Sequence, residues 1–290
     1  FIKENLGMLF ILPWLVGIIV FKLYPFATSL YYSFTNYNLM NDAKFIGLEN
    51  YTNLLKNDLF MKSFGITFKY AFMTVPLKLI FALFIAYILN FKIKGVNLFR
   101  TIYYIPSILG GSVAIAVLWR FLFSDTGFIN LFLSKFGIAG PAWLGDPKYA
   151  LFTLSVLRVW QFGSAMVIFL AALKGVSEEL YEAASIDGAT KLRQFFSVTV
   201  PMITPVIFYN FVTQLVQAFQ EFNGPYIITQ GGPLDSTMLT SLLIYKNAFS
   251  NFKMGLANAM AWYLFIAIMI LTALSFISQK YWVYYSDDER

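Results

Sequence analysis

The sequence predicts an all-α, polytopic membrane protein with about six transmembrane helices. Three observations predict this class. Of the 290 residues, 59% are hydrophobic and 12% charged, where a soluble domain carries about 25% charged residues. Mostly apolar runs, each of the roughly 20 residues a bilayer crossing needs, recur along the chain between turn or charge signals. The Lys and Arg behind the net charge of +6 are scattered through the connecting segments, as in a membrane protein with charged loops rather than a nucleic-acid patch.

The first run is Leu6–Thr28, with Pro13 and Pro25 inside it. Thr67–Leu89, Ile102–Phe123 and Tyr149–Leu173 follow, then Ile203–Phe222 and Leu256–Ile277. The chain opens on Phe1 rather than Met, so a short N-terminal piece is expected ahead of it. The visible start lacks the charged n-region and cleavage site of a signal peptide. An even number of crossings puts both termini on one side. Segment 90–101 is short and basic, with Lys92, Lys94 and Arg100, which favours the cytoplasmic side. Segment 174–200 and both termini then lie there too. Lys44, Lys56 and Lys62 on the opposite side nearly balance the count, so the rule leans without deciding. Segments 29–66, 124–148 and 223–255 are long and rich in Asn, Gly, Asp and aromatics. No internal repeat is evident, and residues 1–290 read as one membrane domain.

Composition also bounds the chemistry. There is no Cys and no His, which excludes disulfides, a His general base and the usual zinc or iron sites. No GxxxxGK[ST] occurs, so the chain cannot hydrolyse ATP alone. It moves something rather than transforming it.

Segment 174–205, KGVSEELYEAASIDGATKLRQFFSVTVPMITP, is the least membrane-like stretch on its side. Ser177 is an N-cap candidate, and Glu178 and Glu179 suit a helix's first turn. Leu180, Ala183, Ala184 and Asp187 recur three or four apart and share a face, where the alanines permit close approach of a partner. Gly188 sits where a left-handed residue ends a helix. A second helical run follows from Thr190 to about Thr199, and Pro201 is placed to open the fifth span. The alternative is an amphipathic loop resting on the bilayer. The acids of the first helix, which anionic lipid repels, and the adjacent Phe195 and Phe196, which need a cover, count against it.

Glu182-Ala183-Ala184, two residues, Asp187-Gly188-Ala189, five residues, Phe195, then Pro201 and Pro205 resemble the EAA loop of membrane subunits of ATP-binding-cassette importers. Leu180-Tyr181 before it and Gly231-Gly232-Pro233 after the fifth span resemble the maltose-type sugar permeases. Val198 and Val200 replace the usual Ile and Leu. Asp187-Gly188-Ala189 is also similar to the CDP-alcohol phosphotransferases, but no acid occurs between Asp187 and Glu221 to hold their metal ions.

The resemblance implies a type I importer permease in the cytoplasmic membrane of a bacterial cell. Its loop, 174–200, docks on an ATPase subunit, with Glu182 and Gly188 foremost in coupling and Ala183, Ala184 and Asp187 next. The implied partners are a second homologous permease, two cytoplasmic ATPases and an extracellular or periplasmic substrate-binding protein. This chain binds no cofactor, and ATP and Mg belong to the ATPases. Segment Gly231–Phe252, with Pro233, Tyr245 and Phe249, lies on the outer side and helps meet the binding protein.

Polar side chains inside spans are costly and face a cavity or a partner. Arg158, Trp160, Gln161 and Ser164 stand on the fourth span. Asn210, Thr213, Gln214, Gln217, Gln220, Glu221 and Asn223 stand on the fifth, among Phe219, Phe222 and Tyr226. Amides and acids that bond hydroxyls, beside aromatic faces, suit a carbohydrate. By position, the resemblance puts the substrate path at Arg158, Trp160, Gln161, Gln217, Phe219, Gln220, Glu221 and Asn223. The same amides also serve as helix–helix bonds. Arg158 either pairs with Glu221 or meets an acidic solute, which keeps a glycerophosphate or uronide permease as the alternative. Lys22 and Lys78 snorkel or pair, and Gly110-Gly111-Ser112 reads as close helix packing. A stand-alone secondary transporter needs no EAA segment.

Overall fold

The computed structural model describes residues 2–91 and 94–285; Lys92 lies outside them. Among the described residues the regular secondary structure is helical, apart from one isolated antiparallel bridge, Thr35 to Phe45. In chain order the helices are α1 (Ile2–Ile18), α2 (Tyr24–Ser33), α3 (Glu49–Leu55), α4 (Asp58–Asn90) and α5 (Val96–Leu109). Then come α6 (Val113–Leu122), α7 (Phe128–Ser134), α8 (Pro147–Trp160), α9 (Gly163–Lys174) and α10 (Glu178–Ile186). The last are α11 (Lys191–Gln194), α12 (Val200–Met202), α13 (Thr204–Phe219), α14 (Thr240–Tyr245) and α15 (Met254–Trp282). Short π-helical turns bridge several of them, the first at Ile19–Leu23.

Three helical stretches are long and apolar enough to cross a bilayer unbroken: Phe10–Ser33, Asp58–Asn90 and Met254–Trp282. Three more candidates are bent pairs, for a total of six. The expected six runs are therefore present, but three are not straight helices. α5 and α6 meet at 101°, α8 and α9 at 46°, and the run Lys191–Met202 meets α13 at 68°.

Each break has a local cause. At the first, Ser112 is extended and its hydroxyl accepts from Ile115 N at 3.3 Å, so Ser112 caps α6. Gly110-Gly111-Ser112 is thus a corner. Gly110 also packs closely, because a Cβ there would strike the Gln161 side chain. At the second, Gln161 leaves helical geometry (φ −83°, ψ 39°). Ser107 Oγ of α5 donates to Gln161 O at 3.1 Å and accepts from Ser164 N at 3.0 Å. The freed backbone groups of the broken span are thereby satisfied, as a bilayer demands. At the third, Pro201 does not open the fifth span. It belongs to the preceding helical run, which continues past Thr199 to Met202; the span starts after Ile203, with Pro205 in its first turn. Either proline is tolerated at a helix start, and the sequence does not separate them.

The chain packs as two compact units, Phe1–Lys62 with Leu243–Ile266 and Ser63–Leu242 with Ala267–Arg290. In the first, Asn50 Nδ2 donates to the carbonyls of Ser33 and Thr35 at 2.9 and 2.8 Å. Gly255 N donates to Tyr37 O at 2.8 Å, and a Cβ on Gly255 would meet Thr35 O. Phe10 and Phe21 of the first stretch are exposed, as side chains facing lipid are. In the second unit α9 packs on α5 and α13, with Ala165, Met166 and Phe169 fully buried. Segment Gly231–Phe252 is not a surface loop. It contains α14, and Leu239, Leu242 and Leu243 are buried.

Candidate functional site

The broken span α8–α9 and the end of α13 meet in the second unit. Arg158, in the last turn of α8, places Nε 2.7 Å from Glu221 Oε2. Its Nη1 donates to Gln161 Oε1 at 2.8 Å, and Gln161 Nε2 donates to Gly110 O at 3.0 Å. The other Glu221 oxygen accepts from Gly224 N at 3.0 Å, and the Glu221 carbonyl accepts from the Ser241 hydroxyl. One acid thus joins the arginine of the fourth span to the turn that ends the fifth. The Arg158–Glu221 pair that the residues left as one of two readings is formed.

A cleft of about 160 Å³ opens beside this pair, lined by Gly110, Ser112, Arg158, Gln161, Gln220 and Asn223 among others. Gln217, Gln220 and Asn223 are exposed. Trp160 is also exposed, its ring 6.0 Å from Trp119. Phe222 and Tyr226 stack at 5.0 Å. Phe219 differs from these. It is fully buried and packs edge-on against Phe68 at 4.9 Å, so it backs the site from behind. Asn210 is fully buried, with neither amide atom partnered among the described residues. The arrangement offers amide donors and acceptors beside aromatic faces, with its central charge pair neutralised internally. Among the described residues no three acidic side chains converge as a metal site.

The second feature is segment 174–205. Ser177 caps α10, accepting from Glu179 N at 3.3 Å. Asp187 ends the helix and Gly188 adopts φ +74°. Gly188 N and Ala189 N return to Ser185 O and Ala184 O at 3.1 and 2.9 Å, closing the last turn. Thr190 caps the second helical run. Glu182, Ala183 and Asp187 are exposed and Ala184 is half-buried. Glu182 lines a cleft of about 660 Å³ with Asn90, Lys174, Tyr181 and Lys191. Phe195 is covered by Tyr87 at 4.7 Å, whereas Phe196, Ile186 and Leu192 stay exposed.

Two contacts here have no signal in the sequence. Gln194 is buried, and its Nε2 donates to Ser185 Oγ at 2.8 Å and Ala189 O at 3.2 Å. Tyr181 OH lies 2.8 Å from Thr199 Oγ1. Both tie α10 to the run that follows it. A glutamine near a chain of aromatics carries no periodicity signal. Only the turn at Gly188 brings it back onto α10.

Residues 67–283 match the model of a family described as the binding-protein-dependent transport system inner membrane component. The chain belongs to that family. It is a permease subunit of a binding-protein-dependent ABC importer, and a membrane protein. The permease is 46% identical over 292 residues to a probable ABC transporter permease, YesP, of Bacillus subtilis (strain 168), covering 99% of this chain and 94% of that one. It is 32% identical over 274 residues to a probable starch degradation products transport system permease, AmyD, of Thermoanaerobacterium thermosulfurigenes (94% and 93% covered). Its fold matches a chain in a crystal structure of a bacterial alginate ABC transporter bound to its alginate pentasaccharide-loaded periplasmic protein. There the TM-score is 0.83 at 20% identity, with 96% of each chain covered.

Proposed function

We propose that this permease carries a sugar or oligosaccharide across the cytoplasmic membrane, with 1–290 acting as one transport domain. The observation that carries this reading is the cleft at the α8–α9 break, where Gln161, Gln220 and Asn223 meet beside Trp160 and the neutralised Arg158–Glu221 pair. Amides exchange hydrogen bonds with hydroxyls in both directions, and aromatic faces receive sugar C–H surfaces. The starch-product permease among the relatives supports the same class. Arg158, Trp160, Gln161, Gln217, Gln220, Glu221 and Asn223 form the path, and Phe219 supports it from behind.

In this reading the importer holds a second homologous permease, two ATPases that bind ATP and Mg, and an extracellular or periplasmic binding protein. Loop 174–200 faces the cytoplasm and transmits ATPase closure through Glu182, Ala183, Ala184, Asp187 and Gly188. The clamp at Gln194 makes that loop a stiff lever. Exposed Ile186, Leu192 and Phe196 supply apolar surface for the ATPase. Differential binding of ATP and of the loaded binding protein biases the outward- and inward-facing states.

The experiment is mild detergent extraction with the accompanying chains identified by mass, followed by saccharide uptake into proteoliposomes. Recovery of an ATPase, a second permease and ATP-dependent saccharide uptake is expected. A chain that purifies alone and moves solute without ATP overturns the reading.

A further inference from the structure

The short helix α7 turns its largest apolar side chains away from the protein. Phe128 is 58% exposed, Leu131 59% and Phe132 50%. Their three- and four-residue spacing puts them on one face, and exposed Lys135 at the end of the helix shares it. Phe136 and Ile138, just beyond, are 67% and 53% exposed. The rings pack on one another, Phe128 to Phe132 at 6.2 Å and Phe132 to Phe136 at 5.2 Å.

This outward face is held in place from behind. Asn130, on the opposite side of α7, donates from Nδ2 to Asp125 O at 3.1 Å and to Pro141 O at 3.3 Å. Its Oδ1 accepts from Trp143 Nε1 at 2.7 Å. Trp143 packs edge-on against Phe123 and Tyr149, each at 5.9 Å. The Trp143 carbonyl accepts from Thr153 Oγ1 of α8 at 3.2 Å. The segment is thereby pinned between the end of α6 and the start of α8, and its aromatic rings cannot fold inward without breaking those bonds.

An apolar patch this persistent needs a cover that is always present. A soluble binding protein covers it only while docked. The bilayer is there throughout, and α7 begins just past the end of a span, against which it packs. That span is itself exposed at Val117, Leu118 and Phe121, the surface that hydrocarbon covers. Lys135 fits the same cover. Within a protein contact its ammonium would require an acid, whereas at a lipid surface its stem lies along the apolar face and its charge reaches phosphate.

We propose that Phe128–Ile138 is an interfacial anchor that lies in the headgroup–acyl boundary of the bilayer, with Lys135 on lipid phosphate. Its apolar side chains reach about 5–10 Å into that boundary. The anchor fixes the depth of the corner between the third and fourth spans, where Trp143 joins α6 to α8. The inference goes beyond the transport reading and takes from it only the orientation, which makes the leaflet the outer one.

The chain contains no Cys, so Leu131→Cys can carry a single environment-sensitive fluorophore in the importer assembled in phosphatidylcholine–phosphatidylglycerol nanodiscs. Co-purification of the other subunits checks assembly. Quenching by a lipid nitroxide near the headgroup is expected to exceed quenching by one at the chain terminus about twofold, as an interfacial depth requires, with aqueous iodide ineffective. Quenching by iodide and not by lipid overturns the proposal. Shielding from all three quenchers means that a protein covers the face, and overturns it equally. A second measurement needs no variant: a phospholipid with a photoreactive group near its headgroup is crosslinked to the wild-type importer. Lipid adducts on the peptide holding Phe128–Ile138 are expected, and adducts confined to the spans refute the anchor.

Discussion

Arg158 and Glu221 lie 63 positions apart in the sequence and form an ion pair 2.7 Å long between the break of one span and the end of another. Glu221 also accepts from Gly224 N, and Arg158 also holds Gln161. The pair therefore fixes two discontinuities of the backbone to each other.

Removing one partner is predicted to cost more than removing both. Glu221→Gln leaves the guanidinium short of its counter-charge, and the importer's thermal midpoint in detergent falls by the equivalent of about 2 kcal/mol, below the fully buried value because Arg158 is part exposed. Arg158→Met combined with Glu221→Met recovers part of that loss, and a double-mutant cycle reads the coupling.

Gly110→Ala probes the same site from the opposite wall. The added methyl meets the Gln161 side chain, which must leave Gly110 O and loosen its hold on Arg158. Destabilisation of about 1–3 kcal/mol is expected for such overpacking. Gly111→Ala, next in sequence, meets open space and serves as the control in the same melting experiment.

In segment 174–200, read above as the proposed coupling loop, Gly188→Pro is predicted to leave the permease inserted and transport-dead. Space around Gly188 is open, so the effect comes from its left-handed backbone (φ +74°) and from its N–H to Ser185 O. Proline allows neither. Gly188→Asn, which tolerates that region, retains most uptake, whereas Gly188→Ala loses about 1 kcal/mol of local stability. Normal uptake by the proline variant would sink the lever model.

Gln194→Ala tests the clamp. It removes the donor to Ser185 Oγ and Ala189 O at a cost of about 1 kcal/mol, too little to unfold the span. The predicted result is ATP hydrolysis that persists while saccharide uptake per ATP falls severalfold. An unchanged uptake-to-hydrolysis ratio refutes the clamp's role.

How far the sequence carried the reading follows from which forces are local. Hydropathy over a run, an N-cap at Ser177 and a left-handed glycine at Gly188 are decided by neighbours in the chain. All were legible, as was the family through Glu182-Ala183-Ala184 and Asp187-Gly188. The polar residues Arg158, Gln161 and Glu221 were legible as a cluster, because each is costly in lipid wherever it points. What they face was not, and Phe219 turned out to back the site rather than line it.

The sequence by itself determined an all-α membrane permease with six apolar runs and, at 174–200, a capped helix closed by a left-handed glycine. Tertiary structure alone decided that three of those runs are broken, that Pro205 and not Pro201 starts the fifth span, and that segment Gly231–Phe252 is partly a buried helix. It also decided that Lys78 donates to Gln214 while Glu221 serves Arg158. The physical reason is satisfaction of polar groups in a low-dielectric medium. A break survives only where a distant side chain, such as Ser107 for Gln161 and Ser164, takes up the freed backbone groups. Which distant side chain arrives is set by packing, not by spacing along the chain.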